Sequence, residues 1–215
     1  FAALLAGHRE GVLQKPVPLD VFDAKGVAVE LLSRVMRRPV DVAPQKDGAR
    51  SAHLHPRGAG DLLIEGEKVG HFGPLHPEAV RKLDLGGEVF VIEIDLEALA
   101  LVVPATPKYK PIPVLPASTR DLAIVVHDDV PAGTVAAAIR EVGAELCESV
   151  EVFDLFRGGS VPKDHRSLAF HVVYRDPKAA TDPSTARTLT DAEVDAKHGA
   201  VVKAVESRFG ATLRA

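Results

Sequence analysis

Four histidines in the first half of the chain, His53, His55, His71 and His76, are of a residue type common on zinc. His53 and His55 alternate, so on a strand they would share a face. That half holds no cysteine, however, and no HExxH or similar ligand spacing, so structural histidines in turns suffice. The carboxylates Glu93, Asp95 and Glu97 read as a solvated strand face rather than an acid–base pair. No GxSxG, CxxC, Walker loop or Rossmann fingerprint occurs, and Gly158-Gly159 is too short a phosphate loop. No catalytic residue, metal or cofactor is therefore expected on this chain. What remains is a local basic stretch, 157–178, where Arg157, Lys163, Arg166, Arg175 and Lys178 outnumber Asp164 and Asp176. It suits either contact with phosphates or a solvated hairpin loop.

Composition narrows the field. The 215 residues are 46% hydrophobic and 26% charged, which is a globular balance, and the length fits two domains of roughly 100 residues. The net charge is -4, with 12 basic against 15 acidic residues up to position 106 and 14 against 15 after it. Neither half is a general polyanion binder. A single cysteine, Cys147, excludes an intrachain disulfide, and a cytoplasmic location is the default expectation. No apolar run is long enough to cross a bilayer, so no membrane partner is expected. The opening Phe1-Ala-Ala-Leu-Leu-Ala6 lacks a charged leader and reads as an interior strand cut open.

Five prolines, Pro104, Pro107, Pro111, Pro113 and Pro116, make a joint that neither a helix nor a central strand tolerates. It divides the chain into 1–106 and 107–215. Beyond it the order is strand (121–126), helix (131–142), two strands (149–156 and 166–175), helix and a last edge strand (211–214). Gly143 falls where the first helix should be capped, and Thr190-Asp-Ala-Glu193 forms a capping box for the second. This is the split βαβ arrangement, with both helices on one sheet face and the other left open. Before the joint, a helix through about Arg37 should bury Val27, Leu31, Leu32 and Val35. It precedes strands near 61–65, 69–73 and 88–95, the last with an exposed face, and a short helix opened by Pro77. The fold class is α+β.

Four phrases in the second half carry a resemblance: Arg120-Asp-Leu-Ala-Ile-Val-Val126, Val152-Phe-Asp-Leu-Phe156, Ser167-Leu-Ala-Phe-His-Val-Val-Tyr-Arg-Asp176 and Arg187-Thr-Leu-Thr-Asp-Ala-Glu-Val194. In order and spacing they resemble the ferredoxin-fold anticodon-binding domain of the bacterial phenylalanyl-tRNA synthetase beta-subunit family. The upstream phrases FDAKG, HLHPRGAGDLLI, GHFGPLHPEAV and FVIEIDL resemble the later part of that family's synthetase-like core. The resemblance implies a truncated class II synthetase-like antiparallel sheet, catalytically inert, followed by a ferredoxin-like βαββαβ domain. It further implies tRNA(Phe) and an alpha subunit as partners in an alpha2-beta2 enzyme that uses ATP and Mg2+, with no DNA partner.

Within that resemblance, strand alternation assigns Leu122, Ile124, Val126, Leu168, Phe170, Val172 and Tyr174 to the core. Ala123, Ser167, Ala169, His171 and Arg175 then face outward. Phe153 and Leu155 are expected inside, and Val152, Asp154 and Phe156 outside. Asp154 is the leading candidate, because a carboxylate accepts from both N1–H and the exocyclic amino group of a splayed-out guanine, and the phenylalanine anticodon begins with guanosine. Ser167, Ala123, Ala169, His171, Arg175, Arg157 and Arg166 complete the expected RNA surface; a plain surface ion pair of Asp154 with Arg157 or Arg175 is the alternative for that residue. A ferredoxin-like regulatory or dimerisation module is the alternative for the whole. Residues 178–186 depart from the family pattern and read as a tolerated surface insertion.

Overall fold

The computed structural model describes residues 1–9, 11, 15–45, 51–56, 58–107, 109, 112–182 and 184–214. Lys108, Lys110 and Pro111 of the joint, Arg57 of the histidine-bearing loop and Pro183 of the insertion lie outside the described residues. The chain divides into two compact units, Phe1–Lys108 and Tyr109–Ala215.

The first unit runs β1 (Ala2–Ala6), β2 (His8–Arg9), β3 (Val17–Pro18), α1 (Val21–Met36), β4 (Asp41–Pro44), β5 (Gly60–Ile64), β6 (Glu67–Pro74), α2 (Pro77–Lys82), β7 (Val89–Ile94) and α3 (Leu96–Leu101). Strands β1, β7, β6, β5 and β4 form one antiparallel sheet in that order. Helix α1 starts at a capping box in which Asp20 accepts from Phe22 and Asp23 amides and Asp23 returns the contact to the Asp20 amide. It ends at Arg37 in the left-handed region, just before Pro39.

Which face of α1 is buried differs from the expectation. Ala24, Ala28, Leu32 and Met36 pack on Leu62, Ile64, Val69, Phe72 and Ile92, while Val27, Leu31 and Val35 are 46, 37 and 54% exposed. Small alanines allow the helix to lie close to the sheet, and that close approach outweighs the larger hydrophobicity of the valine-rich side. Strand β7 is also more enclosed than its acid–apolar alternation suggests. Phe90 and Ile92 join the core under α1, and Val91 is buried on the other face.

In the second unit, β8 (Ser118–His127), α4 (Ala132–Gly143), β9 (Cys147–Phe156), β10 (His165–Tyr174), α5 (Asp191–Phe209) and β11 (Thr212–Leu213) form the expected βαββαβ order. The sheet runs β11-β8-β10-β9, antiparallel throughout, with the first and third strands central. Leu122, Ile124, Val126, Leu168, Phe170, Val172 and Tyr174 meet Val135 and Ile139 of α4 and Val194, Val201 and Val205 of α5 in one core. The cap of α4 is displaced from Gly143, which stays helical, to Ala144, whose φ is +48°. Gly143 is needed for closeness instead, since a Cβ there would sit 2.5 Å from the Cys147 Cβ. The base of the insertion and one of its residues are held by the domain. Asp176 accepts from the Lys178 and Arg187 amides at 2.9 and 3.1 Å, closing its base, and Ala179 is fully buried.

The α5 capping box forms as expected: Thr190 Oγ1 accepts from the Glu193 amide, and Glu193 accepts from the Thr190 amide. The Arg187 guanidinium grips both Glu193 oxygens at 2.8 and 2.5 Å. Arg187 first, then the Thr190 amide and hydroxyl, hold the Glu193 carboxyl down at about 2 against an ordinary 4.5. A carboxyl depressed on folding stabilises the native state above its unfolded pKa and loses that contribution as pH falls through its folded one. The gap in melting temperature between the parent chain and Glu193→Gln, open near neutral pH, should therefore close between about pH 4.5 and about pH 2. A gap independent of pH in thermal scans would refute this role.

Candidate nucleic-acid interface

Both helices lie on the face bearing Leu122 and Phe170, and among the described residues neither covers the opposite face of the second sheet. Register arranges this face in rows. Val125, Ser167 and Phe156 form one; Ala123, Ala169 and Asp154 the next; Asp121, His171 and Glu151 the third. Thr212 extends the first row, and the Arg214 amide donates to the Ala123 carbonyl beside the second.

One residue breaks the alternation. Between Ala169 and Phe170 the pairing with β9 shifts, so Asp154 opposes Ala169 but Val152 opposes Phe170. Phe153 is the extra residue of this bulge. It is not in the core, as strict alternation requires, but stacks on the His171 ring, centroids 3.8 Å apart and planes 10° from parallel. Val152, expected outside, takes the helix-side parity with Phe170 instead. The bulge thus puts Phe153 and Asp154, neighbours in sequence, on the same face.

Asp154 is exposed and has no hydrogen-bond or ion-pair partner among the described residues. The cations that could have neutralised it are engaged elsewhere. Arg157 donates to Asp128 at 2.9 Å and holds that carboxyl below the usual carboxylate range; Arg175 donates to Glu148 at 2.7 Å and to the Leu115 carbonyl. Asp154 therefore overhangs a floor of two alanines, Ala123 and Ala169, with its acceptor oxygens free. On one side stands the Phe153–His171 stack, whose imidazole meets Asp121 at 2.5 Å. On the other is Phe156, with the Arg214 guanidinium 4.6 Å from its ring centroid. Four residues of strand, about 13 Å, separate these two walls.

Other expected surface residues are placed differently. Ser167 has the outward parity but is only 3% exposed. Phe156 stands on the β9 edge and Arg214 beside β11 at the opposite edge, so their contact spans β10 and β8 above Ser167. Arg166 takes the helix side, donating to the Val130 carbonyl at 2.6 Å; nothing in the structure explains its buried, unpaired Nε. Arg157 and Arg175 sit at opposite ends of the sheet. Arg157, Arg166 and Arg175 are thus apart in space, and Arg214, outside that basic stretch, is a cation on the face itself.

In the first unit, His76 caps α2 by accepting from the Glu78 amide, and Asp95 caps α3. His53 and His71 instead converge on Glu93, which is no simple solvated acid.

A four-stranded split βαβ sheet defines a class, the ferredoxin-like fold, and the model of the ferredoxin-fold anticodon binding domain matches residues 113–214. Residues 1–96 match the model of the phenylalanyl tRNA synthetase beta chain CLM domain. The chain belongs to the phenylalanyl-tRNA synthetase beta-chain family, represented here by two consecutive domains. It is 37% identical over 196 residues to the phenylalanine–tRNA ligase beta subunit of Moorella thermoacetica, covering 91% of this chain and 23% of that protein. It is 39% identical over 199 residues to the Symbiobacterium thermophilum beta subunit, 92% of this chain and 21% of that one. The Geobacillus kaustophilus beta subunit is 40% identical over 196 residues, 91% of this chain and 23% of the relative. The chain thus spans under a quarter of the length of these relatives.

If the Phe156–Arg214 contact is what covers Ser167, removing it should open the site. In a Cys147→Ala background, Ser167→Cys should react with a water-soluble maleimide more slowly than the exposed Thr119→Cys, and adding Arg214→Ala should narrow the difference. Unchanged kinetics would show that Ser167 is covered by something else.

Proposed function

We propose that this chain works as part of a phenylalanine–tRNA ligase beta subunit and reads the tRNA(Phe) anticodon on the free face of its second sheet. The observation that carries the reading is the unpaired Asp154 carboxylate above the Ala123–Ala169 floor. Single-stranded RNA is recognised by stacking of unstacked bases and by hydrogen bonds to their Watson–Crick edges. The flat floor admits a base, the Phe153–His171 stack offers an aromatic surface, and Asp154 supplies the paired acceptors that a guanine edge requires. Arg214 is the cation best placed to meet a phosphate or a base plane at the same face.

Within the whole enzyme, the reading takes an alpha subunit as the partner that performs aminoacylation with ATP and Mg2+ in an alpha2-beta2 assembly. The described residues do not suit the nucleotide. The first unit's cleft offers Lys68, already paired with Asp61 at 2.7 Å, beside Glu93 and Asp95, the reverse of the charge balance a triphosphate needs. No catalytic step is assigned to this chain. Among the described residues no helix is long and apolar enough to cross a membrane.

A second reading, a dimerisation or regulatory module, is favoured by one feature. The edge strand β9 leaves Val152, Phe153 and Leu155 substantially exposed. Light scattering of the chain separates the two, since a stable dimer burying the free face supports the second and a monomer that binds RNA supports the first.

The decisive measurement is binding to the tRNA(Phe) anticodon stem-loop with its first anticodon base replaced in turn. The guanosine form should bind tightest, and Asp154→Ala should remove about 1–3 kcal/mol of that preference while leaving binding of the other three forms nearly unchanged. Equal affinity for all four bases would sink the assignment of Asp154.

A further inference from the structure

We propose that His53, His71 and Glu93, in the first unit, form a binding site for a transition-metal dication of the zinc type. The site is separate from the RNA-reading face and does not depend on it. Nε2 of His53 and Nε2 of His71 lie 3.1 and 2.5 Å from one and the same oxygen, Oε2 of Glu93. The three ligand atoms all fall within 4.8 Å of one another. Two imidazoles and one carboxylate are a donor set that zinc and its borderline neighbours accept, whereas Mg2+ and Ca2+ prefer oxygen alone.

Backbone, rather than chance side-chain reach, brings the three together. His71 of β6 and Glu93 of β7 are directly opposite in an antiparallel pair, so their side chains leave the sheet on one face as neighbours. Gly70 permits the close approach of the strands at that point, because a Cβ there would collide with the Glu93 carbonyl. His53 arrives on a loop pinned to the same sheet: its carbonyl accepts from the His76 amide at 2.8 Å, and the His55 amide donates to the Pro74 carbonyl at 2.8 Å. Leu54, between them, is buried and bridges to Leu75.

A polar chain ends on the same His71 nitrogen that would bind the ion, so the ion takes the place of Ser51 there. Ser51 Oγ lies 3.2 Å from His71 Nε2; the Ser51 amide donates to Gln45 Oε1 at 3.3 Å, and Gln45 Nε2 donates to Asp61 at 2.9 Å. Ser51, His71 and Glu93 line a cleft of about 620 Å³, which leaves room for a water molecule as fourth ligand. In a tetrahedral site with bonds of about 2.0–2.2 Å the ligand atoms stand roughly 3.3 Å apart. Entry of the ion then requires His71 and Glu93 to separate by roughly 0.8 Å, a rotamer-scale adjustment of partly exposed side chains. With the ion bound, each imidazole carries its proton on Nδ1 and gives its Nε2 lone pair to the metal.

Co2+ titration of the intact chain tests the proposal, with the metal itself as probe. One equivalent should bind and give the visible absorption of a four- or five-coordinate ion, and one equivalent of Zn2+ should erase it. Glu93→Gln and His53→Gln should each weaken Co2+ binding by more than about tenfold, the loss that even a partner outside the ligand shell causes. His8→Ala, remote from the site, should bind as the parent does. A spectrum that remains that of hexaaqua Co2+ in the unaltered chain overturns the proposal without any variant. So does an affinity that Glu93→Gln leaves unchanged.

Discussion

Everything on the free face of the second unit depends on the register of β10 between β8 and β9. Side chains alternate along a strand, so a slip of one residue would expose Leu168, Phe170, Val172 and Tyr174 and drive Ala169 and His171 toward the helices. All four are fully buried. At about 1.5–3 kcal/mol for each large apolar side chain, the core they form outweighs any preference of the outward residues. Composition of the free face is therefore at liberty to follow function, because the other face has already settled the pairing.

The bulge in β9 is what a regular strand could not supply. A strand offers one side chain per two residues to a given face, whereas the proposed reading needs an aromatic stacking surface and a hydrogen-bonding acid close together on one face. By inserting Phe153 between Val152 and Asp154, β9 gives adjacent residues to the same face without moving Leu155 or Val150 from the helix side. The cost falls on an edge strand, where a lost ladder bond disturbs no further partner.

Legibility in the sequence follows the same physics. The period of β10 and the Thr190–Glu193 box are local signals, and local signals carried the order of elements and the identity of the second core. Phe153 was misread because bulges leave no trace in hydrophobicity: Val152-Phe-Asp-Leu-Phe156 satisfies strict alternation on paper. The buried side of α1 was misread for a related reason, since Ala24 and Ala28 carry little hydrophobic signal although their smallness decides the packing. Ser167 takes an outward parity from alternation, but its burial is not a property of its own strand and leaves no mark in the sequence around it. The convergence of His53, His71 and Glu93 was hidden by long sequence separations bridged only through strand pairing.

Both candidate sites use one device, the directly opposed pair on an antiparallel sheet: Ala169 with Asp154 in one unit, His71 with Glu93 in the other. Backbone hydrogen bonds fix the Cα positions of such pairs, so the side chains inherit precision from the ladder rather than from a surrounding core. Being at least partly exposed, they avoid most of the cost of burying a polar group. The same exposure limits what they gain by pairing with other protein groups, since ion pairs in contact with water contribute about 0–1 kcal/mol. A carboxylate held in place by the sheet but only weakly committed to a neighbour can exchange that neighbour for a ligand at little cost. Asp154, with no partner among the described residues, and Glu93, whose partners are themselves candidate ligands, are both in that state.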